Sequence, residues 1–344
     1  MAERGERYPR LLRTERARWW RPLVGLLLAG TVLVLGAVAL VVVAYVLSAA
    51  TGQSEDAFSD EALRADSVVG LLTNNLVIAL MIPASVLAVL AVHHERPGVL
   101  ASVTGGPRWG LLGRLLALAF VVVLVFFAVG FLLPGSGVAE GDAPSTATLV
   151  GLLLVVLATT PLQACAEEVG FRGYLSQAVA SWFGRSVVGS LVAGAVSAVL
   201  FALAHGLQDA WLFGDRLAFG VVASWLAWRT GGLEAPVALH VANNIVSLAY
   251  SASTGSLEAS LLASTLDWKF AVLDVVMMLT FAVVVDRMAR RSDLVVRRIR
   301  PATTVPLDPP TSPGTLAGPG AVGYPLPSTS TPPPAGGENP WGMG

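Results

Sequence analysis

The sequence predicts an all-α protein, a polytopic transmembrane helical bundle of about eight spans with both termini cytoplasmic. Three observations predict it. The chain is 54% apolar and only 13% charged, about half the roughly 25% charge of a soluble domain. Its apolar residues fall in runs near the roughly 20 residues that a helix rising 1.5 Å per residue needs to cross a hydrocarbon core about 30 Å thick. Its arginines gather beside alternate ends of those runs.

The runs are, in order, Leu23–Ala49, Ser67–Val92, Gly110–Leu133, Thr148–Trp182, Ser186–Leu207, Leu217–Trp228, Pro236–Ser253 and Trp268–Met288. Arg4, Arg7, Arg10, Arg13, Arg16, Arg18 and Arg21 precede the first run in the manner of a secretory signal. That run is longer than a signal core and ends without a small-residue cleavage site, so it reads as a retained span. The fourth run is long for one crossing. The sixth, with about 12 residues, covers only about 18 Å, so the turn Arg229–Gly232 is expected below the membrane surface in a wet cavity.

Arg96 and Arg108 lie between the second and third runs with Arg114 at the start of the third, and Arg287, Arg290, Arg291, Arg297, Arg298 and Arg300 follow from the end of the eighth. By contrast, the segment 51–66 carries Glu55, Asp56, Asp60, Glu61 and Asp66 against Arg64 alone, and the loop around Glu140 and Asp142 has no basic residue. Lys and Arg near span ends are retained in the cytoplasm, so an even number of spans with cytoplasmic termini satisfies every loop. Trp19, Trp20, Trp109, Trp182 and Trp268 stand near span ends, where interfacial aromatics are expected.

The chain therefore divides into a basic cytoplasmic N-terminus (1–22), three N-terminal transmembrane helices (23–147), a transmembrane core (148–289), and an Arg-rich stem with a tail (290–344). After Arg300 the tail is so rich in Pro, Gly, Ser and Thr that it cannot offset its ordering entropy, and a disordered cytoplasmic segment is expected. Arginine-rich usage with a single lysine, Lys269, fits a high-GC bacterium and a cell-membrane location. The lone Cys165 excludes an intrachain disulfide and a cysteine-rich zinc site. No nucleotide-binding loop is present, so neither a nucleotide, an organic cofactor nor a nucleic-acid partner is expected. The partners expected are the lipid bilayer and a peptide or protein substrate.

Ionisable residues inside an apolar span cost about 2.5 kcal/mol or more each, so they require a reason. They concentrate in three places: Glu167, Glu168 and Arg172 in the fourth run, His205 at the end of the fifth, and His240 with Asn243 and Asn244 in the seventh. Glu168 and Arg172 are four apart in the order that favours an ion pair on one helix face. Glu167 points about 100° away, so it must face a cavity, another helix or a metal. His240 and Asn244, again four apart, share a face from which both can donate to a developing oxyanion. One Glu and two His are the usual ingredients for activating a water, with or without a metal ion. Glu167, His205 and His240 are thus a candidate zinc set. If the fourth run is one helix to Trp182, Glu167 lies about 21 Å from the turn at Gly184 and His205 about 27 Å, so the two can meet. If it ends at Arg172, they cannot.

In order, E-E-V-G-F-R from Glu167, F-A-L-A-H from Phe201 and H-V-A-N-N from His240 resemble the EExxxR, FxxxH and HxxxN motifs of the CAAX prenyl protease and bacteriocin-processing family, also called CPBP or Abi, of intramembrane metalloproteases. All three match without departure, over roughly residues 148–250. The resemblance implies an intramembrane endopeptidase. Glu167 with His205 would activate the attacking water, and His240 with Asn244 would stabilise the oxyanion. Glu168 and Arg172 would hold the site together, and Phe201 would shape the cavity. The rivals are a membrane transporter, which would use the same buried polar cluster as a relay but usually shows an internal repeat, and a catalytically silent membrane scaffold.

Overall fold

A computed structural model describes residues 5–50, 52, 54, 58, 64, 66–134, 142–184 and 187–298. The tail expected to be disordered, residues 301–344, and the acidic residues Glu55, Asp56, Asp60, Glu61 and Glu140 lie outside them.

The described chain forms helices α1 (Arg21–Ala50), α2 (Val68–Ala79), α3 (Met81–Ala88), α4 (Trp109–Gly130), α5 (Thr146–Glu168), α6 (Ser176–Ser181), α7 (Val187–Leu203), α8 (Ala210–Thr230), α9 (Glu234–Ser253), α10 (Leu257–Leu261) and α11 (Trp268–Arg290). Two short strands, β1 (Glu6–Arg7) and β2 (Arg297–Arg298), pair antiparallel with Glu6 opposite Arg298. Five helical runs are long and apolar enough to cross a membrane: Arg21–Ala50, Val68–His93, Trp109–Gly130, Thr146–Ser181 and Trp268–Arg290. Helix α7 is apolar but has 17 residues. Helices α8 and α9, of 21 and 20 residues, match the spans expected there and carry the polar residues.

The surface agrees with burial in lipid. Leu27, Val34, Leu35, Leu124, Leu154, Leu157 and Leu191 are all more than half exposed, and Leu27 reaches 72%. A continuous apolar surface of this kind is not sustained in water. Trp19, Trp109 and Trp268 are exposed near helix ends, as interfacial aromatics are. The protein is a multi-pass membrane protein.

Helix α9 stands at the centre, packed against α4, α5 and α8, while α7 packs on α8 and α6, and α2 on α5. Every residue from Glu234 to Ala242 is buried, whereas Asn243–Tyr250 are all half-buried. Gly220 of α8 permits the close approach to α7, since a Cβ there would lie 2.7 Å from the Ala198 Cα. The small residues Gly194 and Ser197 of α7 serve contacts within the chain: Ser197 Oγ donates to the Phe171 carbonyl at 2.9 Å and Ser224 Oγ to that of Gly194 at 3.5 Å.

Two expectations are corrected. The sixth span is not short: Asp209 caps α8, accepting from the Leu212 amide at 2.8 Å, and the helix then carries Asp215 and Arg216 inside it, for a length of about 31 Å. The turn after it closes with Gly231 at φ 73°, and Arg108 grips Glu234 with two bonds of 2.9 and 2.6 Å. His93, which with His94 reads from the sequence as a solvated residue of a basic loop, is buried instead. It ends a π-helical turn, is 3% exposed, and lies 3.2 Å from the Tyr174 hydroxyl. The basic N-terminus also does more than carry charge. Tyr8, Leu11 and Leu12 are buried in the core, Tyr8 donates to the Leu100 carbonyl, and Arg10 donates to that of Gly184.

Candidate active site

The fourth span is continuous over 36 residues, Thr146–Ser181. Its geometry changes where the polar residues lie. Pro161 lacks the amide hydrogen that would bond residue 157, and a π-helical turn from Val169 to Leu175 follows Glu168 directly. Single π turns inside α-helices are frequent at functional sites. The turn carries Arg172 and exposes the Phe171 carbonyl to Ser197 of α7.

Glu168 and Arg172, one helical turn apart, are paired at 2.9 Å with side chains 0% and 1% exposed. The pair is not self-contained, because Glu168 Oε1 also lies 2.9 Å from His240 Nδ1 on α9. His240 Nε2 in turn lies 3.2 Å from Glu167 Oε2. One imidazole therefore stands between two carboxylates from adjacent residues of α5. It can donate to both only as imidazolium; otherwise one carboxyl holds the proton. Glu168 is sealed, and Glu167 retains 12% side-chain exposure.

Asn244, one turn beyond His240, donates to Gln163 Oε1 at 3.3 Å. The Gln163 amide also neighbours Glu167. Gln163 thus ties the two ends of the cluster together, and sequence reading passed over it. Its signal was present in the spacing: an amide four residues before Glu167, on the same face of an apolar helix.

The rings of Phe201 and Phe219 form the wall beside His240, with centroids 6.0 and 4.8 Å from its own. They also carry Arg172, whose Cζ lies 4.3 Å from the Phe201 centroid and 5.5 Å from that of Phe219. Arg172 Nε and Nη2 have no hydrogen-bond partner among the described residues, so this cation–π contact is what offsets their burial. Phe201 therefore supports the cation as well as shaping the cavity.

His205 is placed differently. It follows α7 on an exposed connection, its Nδ1 lies 2.8 Å from the Phe201 carbonyl, and its ring packs edge-on to Phe201 at 4.7 Å. The structure brings Glu167, Glu168, Arg172, His240, Asn244 and Phe201 into direct or one-residue contact. His205 packs on the same Phe201 ring that His240 approaches, within electrostatic range of His240, Arg172 and Arg216. Among the described residues no three His, Cys, Asp or Glu side chains gather as a metal-ligand set. His240 and His205 each turn Nδ1 to an oxygen, of Glu168 and of the Phe201 carbonyl respectively, the contact that metal-ligating histidines also make through the nitrogen not bound to metal.

Comparison with known proteins bears on this segment. Residues 147–246 match the family described as Type II CAAX prenyl endopeptidase Rce1-like. The chain is also similar to the uncharacterized protein YyaK of Bacillus subtilis, 24% identical over 192 residues, which cover 54% of this chain and 62% of that one. The match thus spans less than two thirds of the relative's length. No solved structure matches significantly. Residues 147–246, which carry all three motifs and both sides of the Glu–His contact, are the part of the chain that is similar to the Rce1-like family.

Proposed function

We propose that this protein is an intramembrane endopeptidase in which Glu167 activates a water for attack on a peptide bond. The observation that carries the reading is the unequal pair of carboxylates around His240: Glu168 is sealed against Arg172, and Glu167 is the one left partly open. A sealed, ion-paired carboxylate fixes the ring, whereas an open carboxylate can reach a water.

Glu167 takes a proton as the water oxygen attacks the carbonyl carbon. His240 and Asn244, one turn apart on α9, donate to the oxyanion that forms, a contribution worth about 10²–10³ in rate for each donor. Collapse of the tetrahedral intermediate breaks the C–N bond. The leaving amine takes its proton from Glu167, or from His205 at the exposed edge of the site. Gln163, Glu168, Arg172 and Phe201 are positioning residues. No step is routed through a metal. The family description names prenyl endopeptidases; peptide-bond hydrolysis is the part taken over here, and no prenyl group is part of the proposal. The Arg-rich end of the bundle is assigned to the cytoplasm, by the retention of arginine there, in the cell membrane of a bacterium.

The test is cleavage of a quenched fluorogenic peptide library by purified protein in detergent. Glu167→Gln keeps the shape and removes the base, and is expected to lower the rate about 10²–10⁴-fold. Unchanged cleavage by this variant removes Glu167 from the mechanism.

A further inference from the structure

The bundle has two chemically distinct ends, and the site opens toward only one. At the first end, Arg13 donates to the Ser181 carbonyl at 2.7 Å, Arg21 to that of His93 at 3.3 Å, Arg108 to that of Thr230 at 3.0 Å, and Arg7 stacks 3.9 Å from Trp228. These contacts gather the residues before α1, the 93–108 connection, the end of α6 and the α8–α9 turn. The opposite end is tied by Lys269 Nζ to the Pro134 carbonyl at 2.8 Å and by the Asp209 amide to that of Ser264 at 2.7 Å. There the described basic residues are Arg64 and Lys269, with Arg216 inside α8.

Toward the arginine-rich end the site is closed. Leu100, Tyr174, Leu233, Ala235 and Leu239 are each at most 4% exposed. A cleft of about 360 Å³ at that end, between α4, α8 and α11, is lined by residues including Arg108, Arg114, Thr230 and Val285 and by none of the site residues. Toward the opposite end the site is open. His205 is exposed, Leu207 is 94% exposed, and burial along α9 loosens from Asn243 onward. Among the walls at that end, α8 is the lowest. About 13 Å of α8 lie beyond Phe219, against about 20 Å of α9 beyond His240 and about 31 Å of α5 beyond Glu167.

Arginine flanking spans is retained in the cytoplasm, so the open side is the outer one. We propose that the site is served from the extracytoplasmic face, and that its substrate is a peptide segment presented at the outer surface of the membrane. The substrate part of this inference rests on the peptidase reading above; the direction of access does not. The walls of the approach are the α7–α8 connection, with His205 and Leu207, and Arg216, which donates to the His205 carbonyl at 3.4 Å and has Glu167 and Asp215 as its acidic neighbours.

The experiment uses full-length protein in a Cys165→Ser background with one new cysteine, Leu207→Cys at the open rim or Gly106→Cys at the arginine-rich end, where a Cβ meets nothing within 4 Å. In intact cells a membrane-impermeant maleimide is expected to label Leu207→Cys at once and Gly106→Cys only after permeabilisation. Protection of Leu207→Cys until permeabilisation overturns the inference, as does labelling of both in intact cells. In proteoliposomes, the rate with externally added fluorogenic peptide library should track the fraction of molecules whose Leu207→Cys is labelled from outside. A rate that tracks the Gly106→Cys fraction instead overturns it. Cleavage in detergent, where sidedness is lost, reports on the peptidase reading alone. Outside labelling without cleavage in detergent therefore leaves the direction of access standing and removes the peptidase.

Discussion

Replacing Arg172 by methionine removes the cation from a pair in which neither side chain exceeds 1% exposure. Glu168 would then keep His240 Nδ1 at 2.9 Å as its remaining polar partner among the described residues, its Oε2 already having none. Breaking a buried ion pair from one side costs about 3–5 kcal/mol, because the charge left behind is uncompensated. Loss of the guanidinium from the face of Phe201 removes a further contact worth about 0.5–2 kcal/mol, and the neighbouring imidazole recovers a part of similar size, so about 3–5 kcal/mol stands. At roughly 2–4 °C per kcal/mol, the melting temperature in detergent, followed by tryptophan fluorescence, should fall by roughly 6–20 °C. The double variant Glu168→Gln/Arg172→Met removes both charges and keeps an amide against His240, so it should recover most of the loss. A shift below about 3 °C for the single variant, or a double variant no more stable than the single, would refute the ion pair as the anchor of His240.

Other expectations follow from the same contacts. Gln163→Leu deletes the amide between Asn244 and Glu167, and kcat for library cleavage should drop about 10–100-fold, the value of a hydrogen bond to a charged group, with KM little changed. Arg108→Lys keeps the charge but loses the two-bond grip on Glu234; thermal melts should show a lower Tm, while cleavage per folded molecule is preserved. Gly220→Ala places a Cβ 2.7 Å from the Ala198 Cα, and overpacking of this kind costs about 1–3 kcal/mol. Its effect should appear in stability, and unchanged melting would contradict the close α7–α8 approach.

Much of this architecture was legible in the sequence, because lipid imposes rules that a single chain displays. Apolar run length set the spans, and the corresponding helices formed within a few residues of the expected ends, as with Thr148–Trp182 against the observed Thr146–Ser181. The sixth span was misread because hydropathy treats Asp215 and Arg216 as breaks. The capping contact of Asp209 with the Leu212 amide starts the helix before them, and a helix that faces its own bundle tolerates such residues. His93 was misplaced for the opposite reason. A histidine beside His94, Glu95 and Arg96 looks solvated, yet the π turn carries its ring inward to Tyr174. In the site, i to i+4 spacing paired Glu168 with Arg172, and the two side chains meet at 2.9 Å. Spacing cannot show which helices face each other. The placement of His240 between two carboxylates, the bridging amide of Gln163, and the packing of His205 against Phe201 appeared only once α5, α7 and α9 were packed.

The central claim is that Glu167 and His240 act as one unit on a peptide bond. The most direct measurement is kcat/KM for library cleavage by wild type, Glu167→Gln, His240→Ala and the double variant, all checked for folding by thermal melt. Groups that act as a unit are strongly non-additive. Each single variant should therefore lose about as much as the double. Independent losses that multiply in the double variant, or a single variant that cleaves like wild type, would contradict the account.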